Sequence, residues 1–277
     1  MSMLKQYKVI VISLIIGVGI VICGLYCNNQ VYSRKVIDAI KREDITELRT
    51  LVQSPFGNLN SKPRLWIYEV LSETNESTPL EVACKLGNPE IVKMLLENGA
   101  KVNYTHWDKS RSQGSPLMNA VSSQSDKRLQ VTKLLVEYGA DVNYEDVAHN
   151  DALSCLVYAS FERDDTIEII EYLEQNGMDL YKRYSTSENT LLHKACENDS
   201  FVVIQYLVKH RGFSVNVVNA DGDTPLIYFL RFASSRDKNT LLFLIQEGAD
   251  IETKNKEGKA AYDYAIERHP GFADLLG

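Results

Sequence analysis

The sequence predicts an all-α fold, a solenoid of stacked helix pairs with one transmembrane helix ahead of it. Three observations lead there. The stretch Thr78–Asn103 reads as two short helices back to back, and the same pattern recurs along the chain. Such a pair cannot bury both of its apolar faces alone, so copies must stack on either side. Near the N-terminus an apolar run without a charge stands apart, because a stack of short helices has no place for it. With 44% hydrophobic and 24% charged residues, the composition is that of an ordinary folded chain.

The elements follow in order. Residues 1–8 form a short tail containing Lys5 and Lys8. Residues 9–27 read as a transmembrane signal anchor, since Val9–Tyr26 is an apolar run of 18 residues, just long enough to span a bilayer. A secretory signal peptide has a shorter apolar core and a small-residue cleavage site, which Tyr26, Cys27 and Asn28 do not provide. A lipid-modified cysteine follows a small residue, whereas Cys23 follows Ile22 and Cys27 follows Tyr26. Lys5 and Lys8 favour a cytoplasmic N-terminus with the rest exported, and Arg34, Lys35, Lys41 and Arg42 weaken that preference.

Residues 28–277 hold the stack. Within 33–60, Val36, Ile37, Ile40, Leu48, Leu51 and Val52 flank the turn Lys41–Asp44, a degenerate first pair whose polar face caps the stack. The insert Ser54–Ser77 contains the segment Lys62–Leu71, too apolar for a simple linker, which either extends the core of the cap or reaches a partner. Five full units span 78–252. In the first, Thr78 is an N-cap, Pro79 sits where its missing N–H is harmless, and Leu80, Ala83 and Cys84 line one face. Gly87-Asn88 closes that helix, Pro89 opens the next, and Ile91, Val92, Met94, Leu95 and Leu96 give it an apolar stripe. Ser115-Pro116-Leu117, Asp151-Ala152-Leu153, Thr190-Leu191-Leu192 and Thr224-Pro225-Leu226 open the other four. Residues 255–277 supply a closing cap, with Phe272, Leu275 and Leu276 over the core.

These openings and the closings Leu95–Asn103 and Leu134–Asn143 resemble the ankyrin repeat, with its T-P-L-H-x-A start and later L-L-x-x-G-A-x-x-N. The resemblance covers residues 33–277. Leu80, Leu117, Leu153, Leu192 and Leu226 stand 37, 36, 39 and 34 positions apart, against about 33 for the plain repeat. The third unit departs furthest, since Met178 and Tyr181 replace the Ala and Asn of its neighbours.

Catalytic chemistry is absent from the motifs. The chain has no G-x-S-x-G, P-loop, dinucleotide fingerprint or H-E-x-x-H, and no Cys-x-x-Cys pair. Neither a metal, a cofactor nor a small-molecule substrate is expected. His193 occupies the His of T-P-L-H, where the resemblance implies a hydrogen bond across the repeat. A net charge of −7 without a basic cluster disfavours nucleic acid.

What remains is a surface for another protein. Solenoid loops project along one edge, beside the face made by the first helix of each pair. Tyr104, Tyr144 and Tyr181 fall in register just after or at the asparagine position, and His106, Trp107 and Arg111 share a loop with Tyr104. Trp66 and Tyr68 lie in the insert, and Tyr184 in a later loop. Tyrosine, tryptophan and arginine supply large rigid contacts with polar tips, so these nine residues are the candidate partner-binding set. For Tyr104 and Tyr144, packing at the loop base is the competing reading.

The overall design is similar to bacterial ankyrin proteins that act as immunity partners of effectors delivered by type VI secretion. That resemblance implies a protein that binds and neutralises a toxin, such as a lipase, from the inner membrane with its repeats in the periplasm. An alternative is a periplasmic or inner-membrane scaffold supporting a stress-response enzyme. A third is a host-directed ankyrin effector.

Overall fold

The computed structural model describes residues 31–54, 57–60, 77–103, 114–159, 163–184, 187–232 and 237–276. The proposed anchor at 9–27, and with it Trp66, Tyr68, Tyr104, His106, Trp107 and Arg111, lies outside the described residues. Among those described, no helix is long and apolar enough to cross a membrane.

Fourteen helices are described. The chain is helical over residues 31–41 (α1), then over α2 (Ile45–Val52). Five pairs follow: α3 (Pro79–Leu86) with α4 (Pro89–Glu97), α5 (Pro116–Val121) with α6 (Arg128–Glu137), and α7 (Ala152–Ala159) with α8 (Thr166–Gln175). After them come α9 (Leu191–Glu197) with α10 (Phe201–Arg211), and α11 (Pro225–Phe232) with α12 (Lys238–Gln246). The last pair is α13 (Ala261–Arg268) and the single turn α14 (Pro270–Ala273).

Local chemistry sets the helix starts. Thr78 accepts from the Glu81 N–H while the Glu81 carboxylate takes the Thr78 N–H, a reciprocal cap that satisfies two orphan donors. Asn88 and Asp44 cap α4 and α2 with their side-chain oxygens. Gly87 ends α3 at φ 73°, a left-handed conformation in which an added Cβ would also strike the Ser125 side chain.

Stacking runs in two rows. The first helices pack in series, α3 on α5, then α7, α9, α11 and α13. The second helices do the same from α2 through α4, α6, α8 and α10 to α12. Leu80, Leu117, Leu153, Leu192 and Leu226 are all buried in one continuous core, as are Leu95, Leu135, Leu173, Leu207 and Leu244. The third unit keeps this core despite its weak pattern, because Ile169, Ile170, Leu173 and Met178 are buried. Cys84 and Cys196, each after an alanine, are fully buried packing thiols.

Two polar ladders tie the units together. At the loop bases, Asn103 donates to Gly139 O at 2.8 Å and accepts from the Asp141 N–H at 2.8 Å. Asn60 repeats this with Gly99 and Lys101, and Asn216 with Gly248 and Asp250. At the opposite end, the turns between paired helices are linked. Ser125 donates to Gly87 O at 3.1 Å, and Arg163 donates to Gln124 O and Ser125 O, both at 2.7 Å. Asp199, held at φ 53°, accepts from the Asp237 N–H at 2.7 Å and from the Thr240 hydroxyl. The strain of that left-handed aspartate is offset by the cap it supplies to the next unit.

The closing pair seals the core incompletely. Leu276 is buried and Phe272 and Leu275 partly so. Tyr262 and Ile266, in register with the buried Leu226 and Leu230, lie exposed on the open side of α13.

Candidate functional site

In the first-row helices the residues two and five places after each opening leucine are exposed or only partly buried, Lys194 excepted. Down the five units these are Val82, Asn119, Cys155, Lys194 and Tyr228, and then Lys85, Ser122, Tyr158, Glu197 and Arg231. From the third unit onward this register becomes aromatic and charged. Tyr158 is 39% exposed and Phe232, next to Arg231, 44%.

The side chains of this ridge hold one another. The Tyr158 hydroxyl donates to Glu197 Oε2 at 3.0 Å, and the Lys194 ammonium lies over the Tyr158 ring at 5.4 Å and the Tyr184 ring at 4.7 Å. Burial, opposed by the nearby Glu197 and Asp151 carboxylates, pulls the Lys194 ammonium below its ordinary value. Tyr228 packs its ring against Phe232 at 4.7 Å and edge-on to His193 at 5.6 Å, and its hydroxyl accepts from Asn189 at 2.9 Å. Burial and the Glu197 charge push the Tyr228 phenol up to about 12. Arg231 stacks on Phe232 at 4.9 Å and is already paired, with Asp223 at 2.9 Å and Glu257 at 2.7 Å.

Beneath the ridge lies a polar interior that fixes it. His193 bonds Asp223 O through Nε2 at 3.0 Å and Thr190 Oγ1 through Nδ1 at 2.8 Å, as the T-P-L-H resemblance implied. Burial drives its pKa down to about 4, so the ring is neutral and structural. Asp151 caps Ser154 and pairs with Lys182 at 2.6 Å. Arg128 is fully buried, sends two nitrogens to the Asp165 carboxylate at 2.6 to 3.0 Å, and reaches Thr166 Oγ1 at 2.7 Å.

Three of the nine candidate contact residues are described, and the structure does not bring them together. Tyr184 is 3% exposed, so it belongs to the interior, below Lys194 and with its hydroxyl 3.4 Å from Asp151 Oδ1. Tyr144 is half-buried against the core. Tyr181 is 57% exposed, yet it is tied down, stacked on Phe213 at 4.8 Å and donating to Arg211 O at 2.8 Å. It bridges two units where its neighbours use asparagine. The ridge residues Tyr158, Glu197, Tyr228 and Phe232 were outside the expected set. Aligning the opening leucines and reading two and five places on would have found Tyr158, Glu197 and Tyr228, with Phe232 one place further.

Nothing in this arrangement lines up a nucleophile with a base. Cys155, the half-buried thiol near Tyr158, is pushed up to about 12 by burial and the Asp151 charge, which removes its nucleophilic form. No group of three metal-ligating side chains occurs among the described residues. A groove between α4 and α6, rimmed by Glu90, Lys93, Lys133 and Glu137, lies on the other row, away from these rings.

Known proteins match along most of this length. The family model described as ankyrin repeats in three copies matches residues 37–146 and 156–255. A curated relative, alpha-latrocrustotoxin-Lt1a of Latrodectus tredecimguttatus, is 27% identical over 223 residues, 76% of this chain. The match spans only 15% of that toxin's length. The human ASB11 ankyrin repeat domain superposes with a TM-score of 0.65 at 25% identity, over 87% of this chain and 97% of that one. The structure of the Bd0816 predatory endopeptidase from Bdellovibrio bacteriovorus in complex with immunity protein Bd3460 contains a chain matched with a TM-score of 0.55 and 25% identity. That match covers 71% of this chain and 95% of the other. With two rows of stacked helices, a bonded ladder at each end and a family model matched along most of its length, this chain belongs to the ankyrin-repeat family of protein-interaction modules.

Proposed function

We propose that this chain binds a folded protein through the first-row ridge and the adjoining loops, and that it restrains an effector enzyme as an immunity protein does. The observation that carries the binding reading is the ridge itself. Tyr158 and Phe232 are exposed on rigid helices, and their rotamers are held by neighbours, so little side-chain entropy is lost on contact. The likeness to a chain of the endopeptidase–immunity complex supports the restraining role. Steric cover of an active site needs no catalytic group on the covering protein, which suits a ridge without one. On this reading residues 9–27 anchor the chain in a bacterial inner membrane and hold the repeats in the periplasm.

The test is neutralisation. The full chain, immobilised in mild detergent, is used to retain its partner from the producing cells, and the activity of the eluted enzyme is titrated with fresh chain. Activity should fall to zero near one equivalent. An eluted enzyme that keeps full activity in excess chain would leave a binding module with no restraining role.

A further inference from the structure

Glu197 is a partly buried carboxylate of the first-row ridge without an ion pair among the described residues. The neighbouring cations are committed elsewhere, Arg231 to Asp223 and Glu257, and Lys182 to Asp151 and Glu145. Lys194 is 8% exposed and its ammonium rests on the Tyr158 and Tyr184 rings, with no carboxylate oxygen within 4 Å among the described residues. Glu197 takes one hydrogen bond, from Tyr158 Oη, and has no cation in contact among the described residues. Its carboxylate therefore stands partly exposed and without a direct ion pair, close to the charge of Lys194 and to two tyrosines, Tyr158 on α7 and Tyr228 on α11. The charge of Glu197 is felt by both phenols, which burial and that carboxylate push above the ordinary tyrosine value. One turn further along α11, Phe232 extends the aromatic surface.

A carboxylate flanked by aromatic faces is the complement of a guanidinium. The planar cation can stack on a ring while its N–H fork reaches the carboxylate, and it is more weakly hydrated than an ammonium. We propose that the Glu197 carboxylate, with the Tyr158 and Tyr228 rings, receives an arginine side chain from the surface of the partner protein. The proposal rests on the protein-binding reading and names the chemistry of its anchor. The net charge of −7 on the whole chain steers a basic surface toward it.

The experiment uses the full chain in non-ionic detergent and three fluorescein-labelled octapeptides that differ at four positions, carrying arginine, lysine or the neutral isostere citrulline. Binding is read by fluorescence anisotropy at low salt. The arginine peptide should bind at least threefold more tightly than the lysine peptide, and the citrulline peptide should not bind. Glu197→Gln, which keeps an acceptor for the Tyr158 hydroxyl, should weaken the arginine peptide at least fivefold. Glu137→Gln on the opposite row should leave it unchanged. Tyr158→Phe serves as a second variant that retains the ring, and should bind within twofold of the parent. Equal affinity in Glu197→Gln and the parent, or an equal loss in Glu137→Gln, would overturn the proposal. If the chain still neutralises its enzyme while Glu197→Gln binds and protects normally, the module stands and the arginine site falls.

Discussion

At position 193 an imidazole is buried so that it can join two backbones, and the cost of that burial is visible as pH dependence. The folded pKa is about 4 against an ordinary 6.5. Between those values the unfolded chain binds a proton that the folded chain does not, so stability rises with pH and is lost on acidification. At about 1.4 kcal/mol per pH unit, the loss from His193 alone reaches about 2 kcal/mol by pH 5. His193→Gln should be less stable than the parent at pH 7, and the gap between their urea midpoints should narrow by pH 5. A gap that stays constant would remove the proton from the account. Tyr181 also ties two units together. Its stacked ring and its bond to Arg211 O replace an asparagine rung. Tyr181→Ala should lower stability by about 1–3 kcal/mol, with Tyr181→Phe losing only about 1, the share of the hydrogen bond. Equal stabilities for both variants and the parent would mean that the ring is only a surface group.

Between elements, the apolar register carries the stack and the polar groups lock it. Arg128 is the sharpest case. It opens α6, yet its fork is spent on Asp165 at the head of α8 in the next unit. Arg128→Ala would open a void and leave Asp165 only the more distant Arg163 guanidinium at 3.8 Å, and should cost about 3 kcal/mol in the urea unfolding free energy. Arg128→Lys should recover little, because an ammonium cannot reproduce the two-nitrogen contact. A loss below about 1 kcal/mol would mean that the pair is solvated. Helices were legible because period and punctuation are local: Thr78-Pro79, Gly87-Asn88-Pro89 and the opening leucines all act within one or two turns. The role of Arg128 was not, since Lys127-Arg128 reads as a polar turn until a carboxylate 37 residues away is placed beside it. Tyr184 misled for the same reason. Its loop position suggests exposure, whereas Lys194 and Asp151, brought from other elements, enclose it.

For the whole molecule the ridge, the loops and the proposed anchor act together. Protease added to intact spheroplasts should digest the repeats if residues 9–27 hold them outside the cytoplasm. Protection of the repeats alongside membrane retention would reverse the orientation. The ridge was hidden from the sequence because its members are spread over three units, one or two per helix, and none forms a local motif. Its role is tested most directly by position-resolved crosslinking in the producing cells. A photoreactive phenylalanine analogue is placed at Tyr158, at Phe232 and, as the comparison, at Lys93 on the opposite row. One discrete adduct of the same protein is expected from both ridge positions and none from Lys93. The same adduct at equal yield from Lys93, or none from either ridge position while the partner is retained by the chain, would contradict the role of the ridge.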